Sequence, residues 1–435
     1  MLRKNEVYTA NISDINNLGY GIAKIDGMVV FVSGGVTGDV LDIKIIKVGK
    51  DFCIGRIEKI ISSSEYRTES GCPVSNRCGG CVYRNITREY ELELKRSYVK
   101  HAFLKAGLIA DVLPTDTNGI SEGCRNKAQY PVSENGDIGF YARHSHDIVK
   151  CESCMLVPEE FDAILKDMSA LIKKHGIKGI RHICLRKGFG TGEIMLCIVA
   201  YNEIGCSDII VDEITGKHEY VKSIVLNINP DNTNVILGKK CINLYGSGEI
   251  RDILCGLEFR ISALSFYQVN HDMAERLYGE AISRAAEANP KTVADLYCGT
   301  GTIGLILASA LKDINLTGIE LVNEAVLNAR ENALTNKITG AEFICGDALI
   351  ADVSRYDCVV IDPPRKGMSK ELVEKLISEH PQRLVYISCN PDTLARDAKM
   401  LSAGGYVMGT VKPFDMFPRT GAIECVTDFT YRKAP

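Results

Sequence analysis

Tryptophan is absent from the 435-residue chain, histidine occurs only 8 times, and net charge is only −4. No stretch approaches the ~20 uninterrupted apolar residues that a membrane-spanning helix needs. The segment Met1-Leu2-Arg3-Lys4-Asn5-Glu6 carries no apolar signal-peptide core. The expectation is a cytoplasmic chain with no membrane partner. The near-neutral balance excludes bulk charge as a route to nucleic acid, so any polyanion must be met by local basic patches. Cysteine, by contrast, is plentiful: 17 residues, an odd number, in a long chain without an export signal. That pattern argues against a disulfide framework and for reduced thiols, a metal site or a catalytic thiol.

The chain is organised around Leu384-Val385-Tyr386-Ile387-Ser388-Cys389-Asn390-Pro391. Four apolar, β-prone residues read as a buried strand, and Pro391, which lacks an N–H, must end it. Cys389 then stands at a strand's C-terminal edge, where open α/β sheets keep their reactive groups. Upstream, Cys358-Val359-Val360-Ile361-Asp362-Pro363-Pro364-Arg365 repeats the design with a carboxylate. Two neighbouring strand ends are thus expected to bring a thiol and a carboxylate to one crevice.

Residues 1–60 alternate short strand patterns with glycine turns, which predicts a small OB-like barrel. Gly19-Tyr20-Gly21-Ile22-Ala23-Lys24-Ile25-Asp26-Gly27 followed by Val29-Val30-Phe31-Val32 resembles a TRAM domain, an RNA-binding barrel. Lys24, Lys44, Lys47, Lys50, Arg56 and Lys59 are its phosphate-contact candidates. Cys72, Cys78 and Cys81 follow with C-x5-C-x2-C spacing, and Cys154 or Cys151 supplies a fourth thiol, with Cys124 the weaker candidate. Four thiolates suit zinc or an iron–sulfur cluster. The uneven spacing is less like a zinc ribbon, which prefers paired C-x2-C knuckles. Residues 88–105 read as an exposed amphipathic helix. Strands from Cys124 to Tyr201 around a helix over 161–175 predict an α+β middle segment. In it Arg125, Lys127 and Arg143 stand with Tyr130 and Tyr141, a basic-plus-aromatic grouping that suits RNA or a solvated sheet face.

From Ile250 onward the period changes to βα alternation, which implies a doubly wound sheet. Asp295-Leu296-Tyr297-Cys298-Gly299-Thr300-Gly301 joins a strand to a helix, and Glu320 ends the next strand. Glycines admit a nucleoside close to the backbone and the acid accepts from ribose hydroxyls. The dinucleotide pattern is not met. A neutral-to-acidic loop fits the cationic S-adenosylmethionine, with Asp347 a further candidate at the third strand's end. A methyl donor beside a thiol suggests methylation at carbon 5 of a pyrimidine. That carbon is too weak a nucleophile until a thiolate adds at carbon 6. A base must then remove the carbon 5 proton. Cys389 fits the nucleophile and Glu424 the base.

Asp295 to Gly301, Asp362-Pro363-Pro364-Arg365-Lys366-Gly367, Ser388-Cys389-Asn390-Pro391 and Pro418-x-Thr420-x-x-x-Glu424 together resemble the RNA uracil-5-methyltransferases. With the TRAM-like start and the C-x5-C-x2-C run, the chain is similar to 23S rRNA (uracil-5-)-methyltransferases that carry a [4Fe–4S] cluster. The resemblance spans nearly the whole chain. It implies Cys389 as nucleophile and Glu424 as base. It also implies Gln268, Tyr297, Glu320 and Asp362 at the donor site, and Cys72, Cys78, Cys81 and Cys154 around the cluster. The fold it implies is α/β overall. A TRAM barrel would occupy 1–60, a central α+β iron–sulfur domain 61–90 and 124–255, and a Rossmann-like class I methyltransferase domain 91–123 and 256–435. The implied partner is RNA, 23S rRNA before tRNA, acted on by a monomer. The chain departs from the family at Ala422 and Arg419, positions that often hold histidine. The rival readings are an amino-group methyltransferase, through Asp362-Pro363-Pro364, and a non-catalytic RNA-binding protein with a decayed enzyme domain.

Overall fold

A computed structural model describes residues 2–231 and 233–432. The first five strands, Val7–Ile15, Tyr20–Ile25, Met28–Ser33, Val40–Val48 and Phe52–Ser62, close into a barrel. Met28–Ser33 and Phe52–Ser62 pair in parallel and every other contact is antiparallel. Alternate residues point inward, so Ile12, Ala23, Val30, Val32, Leu41, Ile43 and Cys53 fill the lumen. Lys24, Lys47, Lys50, Arg56 and Lys59 lie exposed on the outside.

The middle of the chain builds a five-stranded sheet in the order Lys240–Tyr245, Val221–Ile228, Ile194–Ala200, Ile180–Lys187, Lys127–Pro131. Helices Glu159–His175 and Ser207–Lys217 cover one face. The other face, with Cys184, Met195, Cys197 and Val199, merges into the C-terminal core. Both faces are buried, which is why Ile194–Ala200 reads as an unbroken apolar run. Tyr130 is 1% exposed inside this core. The expected grouping of Tyr130 with surface cations is therefore overturned: its ring packs on Phe140, and Tyr141 alone of the two tyrosines reaches solvent.

The C-terminal sheet runs Ala341–Cys345, Asn315–Glu320, Thr292–Leu296, Cys358–Ile361, Arg383–Ser388, Glu424–Tyr431, Tyr406–Met408. Its first five strands are parallel, and Glu424–Tyr431 is antiparallel to its neighbours. Side chains alternate between two cores: Val360, Val385 and Ile387 face one, Val359, Leu384 and Tyr386 the other. The strand order reverses between Thr292–Leu296 and Cys358–Ile361, which opens a crevice at the carboxyl ends.

Two expectations change. Helix Arg88–Ala106 is not an exposed amphipathic helix: it buries Glu91, Leu94, Lys95, Val99 and Phe103, and Val99 and Phe103 enter the core under the C-terminal sheet. Its two buried polar residues, Glu91 and Lys95, are held there by ion pairs described below. The boundary expected at 255/256 falls in the turn of a hairpin, Glu249–Leu254 and Leu257–Ser262, whose Ile250, Leu254, Phe259 and Ile261 belong to the C-terminal core.

Candidate active site and cysteine cavity

Strand Arg383–Ser388 ends where Asn390 caps the next helix, accepting from the Asp392 N–H at 3.2 Å, with Pro391 in the first turn. Cys389 is left half-buried at the carboxyl edge of the sheet. On the antiparallel neighbour, Ser388 pairs with Cys425. Carrying that register one residue further sets Cys389 opposite Glu424. Glu424 is only 4% exposed, because its strand is flanked on both sides rather than lying at an edge. On the other side, Ile361 pairs with Tyr386, so Asp362 emerges at the same rim. The expected meeting of thiol and carboxylate at adjacent strand ends is therefore present, with a second carboxylate beside it.

These groups compete for charge. Burial pushes the Cys389 thiol up to about 11; the Glu424 and Asp362 charges act in the same direction and the Arg365 guanidinium opposes them. Burial, then the Asp362 charge, drives Glu424 well above the usual carboxylate range. Desolvation lifts Asp362 to about 7. Two neighbouring carboxylates and a thiolate in so buried a crevice cannot all be charged cheaply. A bound cation would relieve all three.

The glycine loop closes the other side of the crevice. Tyr297 leaves its strand with φ +66°, and Gly301 with φ +78° starts helix Thr302–Leu311. A Cβ on Gly301 would lie 3.0 Å from the Phe343 ring, so glycine is needed there for space as well as for backbone angle. Glu320 bridges the loop: Oε2 accepts from the Gly299 N–H at 3.1 Å and Oε1 from the Val322 N–H at 2.8 Å. Asp347 caps a short 3-10 turn through the Leu349 N–H at 2.9 Å and stands exposed beyond the third strand. Gln268 is buried before helix His271–Ala286, its carbonyl accepting from the Asn126 side chain at 2.8 Å. Tyr297, Glu320, Asp347 and Asp362 thus share the carboxyl rim, and Gln268 joins the C-terminal domain to the middle one.

Sequence reasoning missed two parts of this site. Asp295 is fully buried below the loop, accepts from the Gly304 N–H at 3.0 Å and keeps one oxygen unpaired; burial lifts it to about 8. Its place in the D-x-x-x-G-x-G string was the available signal. The second part is a buried charge network that anchors the approach to Glu424. Lys95 pairs with Asp415 and, at 3.0 Å, with Glu91, and donates to the Phe417 carbonyl at 2.9 Å. Arg88 pairs with Asp415 and, at 2.8 Å, with Glu91. Glu91 also accepts from the Arg419 N–H at 2.6 Å. The Arg419 carbonyl in turn accepts from the N–H groups of Val82 at 3.0 Å and Tyr83 at 3.1 Å, the residues after Cys81. A Cβ on Gly421 would collide with the Asn17 carbonyl of the barrel. The segment from Asp415 to Gly421, ahead of Glu424, is thus held by helix Arg88–Ala106, by Val82 and Tyr83 and by the barrel. Arg419, at a position often histidine in the resembled family, contributes through its backbone and through a 3.1 Å bond to the Ile86 carbonyl. Replacing Lys95 with methionine removes one of the two cations shared by the buried Glu91 and Asp415 and leaves Arg88 to pair with both. Thermal or denaturant unfolding should register a loss of about 3–5 kcal/mol; a variant as stable as the parent would dismiss the clamp.

Cys72, Cys78, Cys81 and Cys154 line one cavity of 390 Å³, and Cys151 lines it too. Cys124 is buried outside its lining. Arg84, Arg125 and Lys127 stand in the cavity wall. The Gly80 N–H points at Cys78 Sγ, 3.4 Å away. Burial lifts the Cys154 thiol to about 11, with Cys81 and Cys78 adding to it, and Cys151 to about 12. The thiols surround the cavity without converging: among the described residues no three His, Cys, Asp or Glu side chains reach the geometry of a single bound ion.

Comparison with known proteins places these features in a family. The model for tRNA (Uracil-5-)-methyltransferase matches residues 249–429, and the TRAM domain model matches 2–58. An uncharacterized RNA methyltransferase of Bacillus cereus is 41% identical over 98% of this chain and 96% of its own length. One from Clostridium tetani is 38% identical over 99% and 97%. Among solved structures, the Pyrococcus abyssi tRNA (uracil-54, C5)-methyltransferase in complex with S-adenosyl-L-homocysteine aligns with a TM-score of 0.80 at 26% identity, covering 97% of this chain and 99% of that one.

Proposed function

The chain belongs to the RNA uracil-5-methyltransferase family and is a SAM-dependent RNA methyltransferase with a TRAM domain; from that premise we propose that it methylates carbon 5 of a uridine in 23S rRNA through a covalent Cys389 adduct. The observation that carries this reading is the strand register that sets Cys389 opposite the buried Glu424, with Asp362 beside them at the glycine-loop crevice. S-adenosylmethionine supplies the electrophilic methyl group. Tyr297, Glu320, Asp347, Asp362 and Gln268 form the donor side, Glu320 also fixing the glycine loop. The Cys389 thiol gives up its proton and its sulfur bonds to carbon 6. Carbon 5, made nucleophilic by that addition, takes the methyl group as the donor's sulfur–methyl bond breaks and S-adenosylhomocysteine is left. Glu424 then removes the carbon 5 proton, and the carbon 6–sulfur bond breaks to restore the ring. The target base must leave its stack to reach a half-buried thiol.

The charge pattern supports this assignment. A sulfonium cation in the crevice would offset the Asp362 and Glu424 charges and bring the thiol closer to ionisation. An amino-group methyltransferase would have no use for a thiol opposite a buried base. A decayed enzyme would not be expected to keep three carboxylates at one rim.

Cys72, Cys78, Cys81 and Cys154 are the residues we assign to a [4Fe–4S] cluster. A cluster holds each thiolate on its own iron, which suits thiols spread around a cavity better than a single zinc ion does. Arg84, Arg125 and Lys127 would offset the charge of four thiolates. Protein prepared without oxygen should be brown and contain about four iron per chain. Cys154→Ala should lose most of that iron while Cys151→Ala retains it. Colourless, zinc-loaded protein would reverse the assignment, and iron lost only from the Cys151 variant would make Cys151 the fourth ligand.

The substrate is tested by mapping 5-methyluridine in 23S rRNA and tRNA from cells with and without the gene. Loss from 23S rRNA is expected. The fold shared with a tRNA (uracil-54, C5)-methyltransferase makes tRNA the second reading, and loss confined to tRNA would establish it.

A further inference from the structure

A cavity of 920 Å³ lies in the middle domain and shares no lining residue with the cysteine cavity. Its wall combines ring faces with fixed positive charge. Tyr201 is 43% exposed and Tyr141 37%, and the edge of the His146 ring meets Tyr141 at 5.4 Å. Arg181 is buried to 8% exposure, yet its guanidinium donates to the carbonyls of Asn229 at 2.9 Å and Asp231 at 2.7 Å and lies 5.1 Å from the Tyr201 ring centroid. These contacts hold Arg181 in place without neutralising it. His182 is 5% exposed and lines the same wall; Tyr141 Oη meets its Nε2 at 3.3 Å, and its Nδ1 has no partner. Burial and Arg181 lower the imidazole to about 4, so it is neutral at physiological pH, with donor and acceptor capacity. Lys178 stands at the rim, and Glu134 is the one carboxylate among the described lining residues.

This is the chemistry that an unstacked nucleotide needs: aromatic faces for the base, a buried cation for the phosphate, and a neutral polar edge for the base's hydrogen-bonding groups. The position favours a polymer over a free metabolite. Tyr141 also lines a neighbouring cleft of 530 Å³ with Tyr20 of the barrel, His144, Thr420 and Gly421. Gly421 stands three residues before Glu424. One tyrosine therefore lines both the large cavity and the cleft against the barrel, whose wall includes Gly421.

We propose that this cavity, walled by Tyr141, Tyr201, Arg181 and His182, receives unstacked nucleotides of the substrate RNA that flank the target uridine. The proposal rests on RNA being the substrate. It assigns the middle domain an RNA-positioning role through side chains outside the methyl-transfer machinery.

The test uses the full chain and a fluorescein-labelled oligouridylate of about a dozen nucleotides, a length that can span such a track. Tyr201→Ala should weaken binding about 5- to 150-fold, the loss expected for one base–aromatic stack. Tyr201→Phe should bind like the parent. Lys178→Ala should lower the slope of log affinity against log salt by about 0.7. S-adenosylhomocysteine affinity should be unchanged in every variant, which establishes that they fold. If Tyr201→Ala perturbs that affinity, 4-thiouridine crosslinking of the parent decides: crosslinks to Tyr141 or Tyr201 support the site, and crosslinks elsewhere overturn it. Oligonucleotide affinity of Tyr201→Ala within twofold of the parent also overturns it. So does an equal loss in Tyr201→Phe, or displacement of the oligomer by uridine monophosphate at equal affinity. Normal methyl transfer with unaltered oligonucleotide binding in Tyr201→Ala refutes the cavity assignment alone. Weakened binding in a protein that never transfers methyl upholds the cavity and refutes the uracil-methylation reading instead.

Discussion

Cys389→Ala is expected to reduce methyl transfer roughly 10⁴- to 10⁶-fold, the scale of losing a covalent nucleophile. Without sulfur at carbon 6, carbon 5 of uracil is too weak a nucleophile to take the methyl group. The substitution removes one sulfur from a half-buried rim position, so the fold and S-adenosylhomocysteine affinity should persist. Incorporation of labelled methyl into an RNA transcript measures the loss. A 5-fluorouridine transcript should give a covalent complex on a denaturing gel with the parent and none with the variant. Turnover within tenfold of the parent would end the thiol mechanism. The same thiol carries a pH signature. A thiol pushed up to about 11 is ionised to only about one part in 10⁴ at pH 7. Alkylation of Cys389 in the free enzyme, followed on its own peptide, should therefore accelerate about tenfold per pH unit from pH 7 to pH 10. A plateau near pH 8 would mean that the thiol is not held protonated by burial and its carboxylate neighbours.

Glu424→Gln should produce a different failure. Addition at carbon 6 and transfer to carbon 5 need the thiol and the donor; release needs a base for the carbon 5 proton. Turnover should fall about 10²- to 10⁴-fold, the usual contribution of a positioned base. The methylated adduct should accumulate, visible on a denaturing gel with ordinary uridine RNA and S-adenosylmethionine. In its ionised form Glu424 adds to burial in holding Cys389 protonated, and the substitution removes that charge. Cys389 alkylation in Glu424→Gln should then be faster than in the parent at the same pH. Normal turnover, or a variant that forms no adduct and alkylates more slowly, would remove Glu424 from the base role. The pair of substitutions separates bond formation from bond breaking: Cys389→Ala yields neither adduct nor product, Glu424→Gln adduct without product.

Local sequence determined the elements that rest on neighbours in the chain. Alternation and glycine turns specify the barrel strands, and Asn390-Pro391 ends a strand and starts a helix in one step. The glycine loop requires positive backbone angles at Gly299 and Gly301, and successive acids mark the strand ends. Those signals depend on covalent geometry and period, which no tertiary contact needs to reveal. Tertiary structure decided what depends on pairing between distant segments. Glu91 and Lys95 look like an ordinary surface pair four residues apart; only the arrival of Asp415 and Arg419, more than three hundred positions later, makes them a buried clamp. Tyr130 and Tyr141 are alike as residues, and the sheet's pleat and cover bury one and present the other. Cys389 and Glu424 stand thirty-five positions apart, and a single antiparallel register sets them face to face. Composition cannot encode that meeting, because it follows from which strand inserts beside which, a choice made by burying both faces of the sheet.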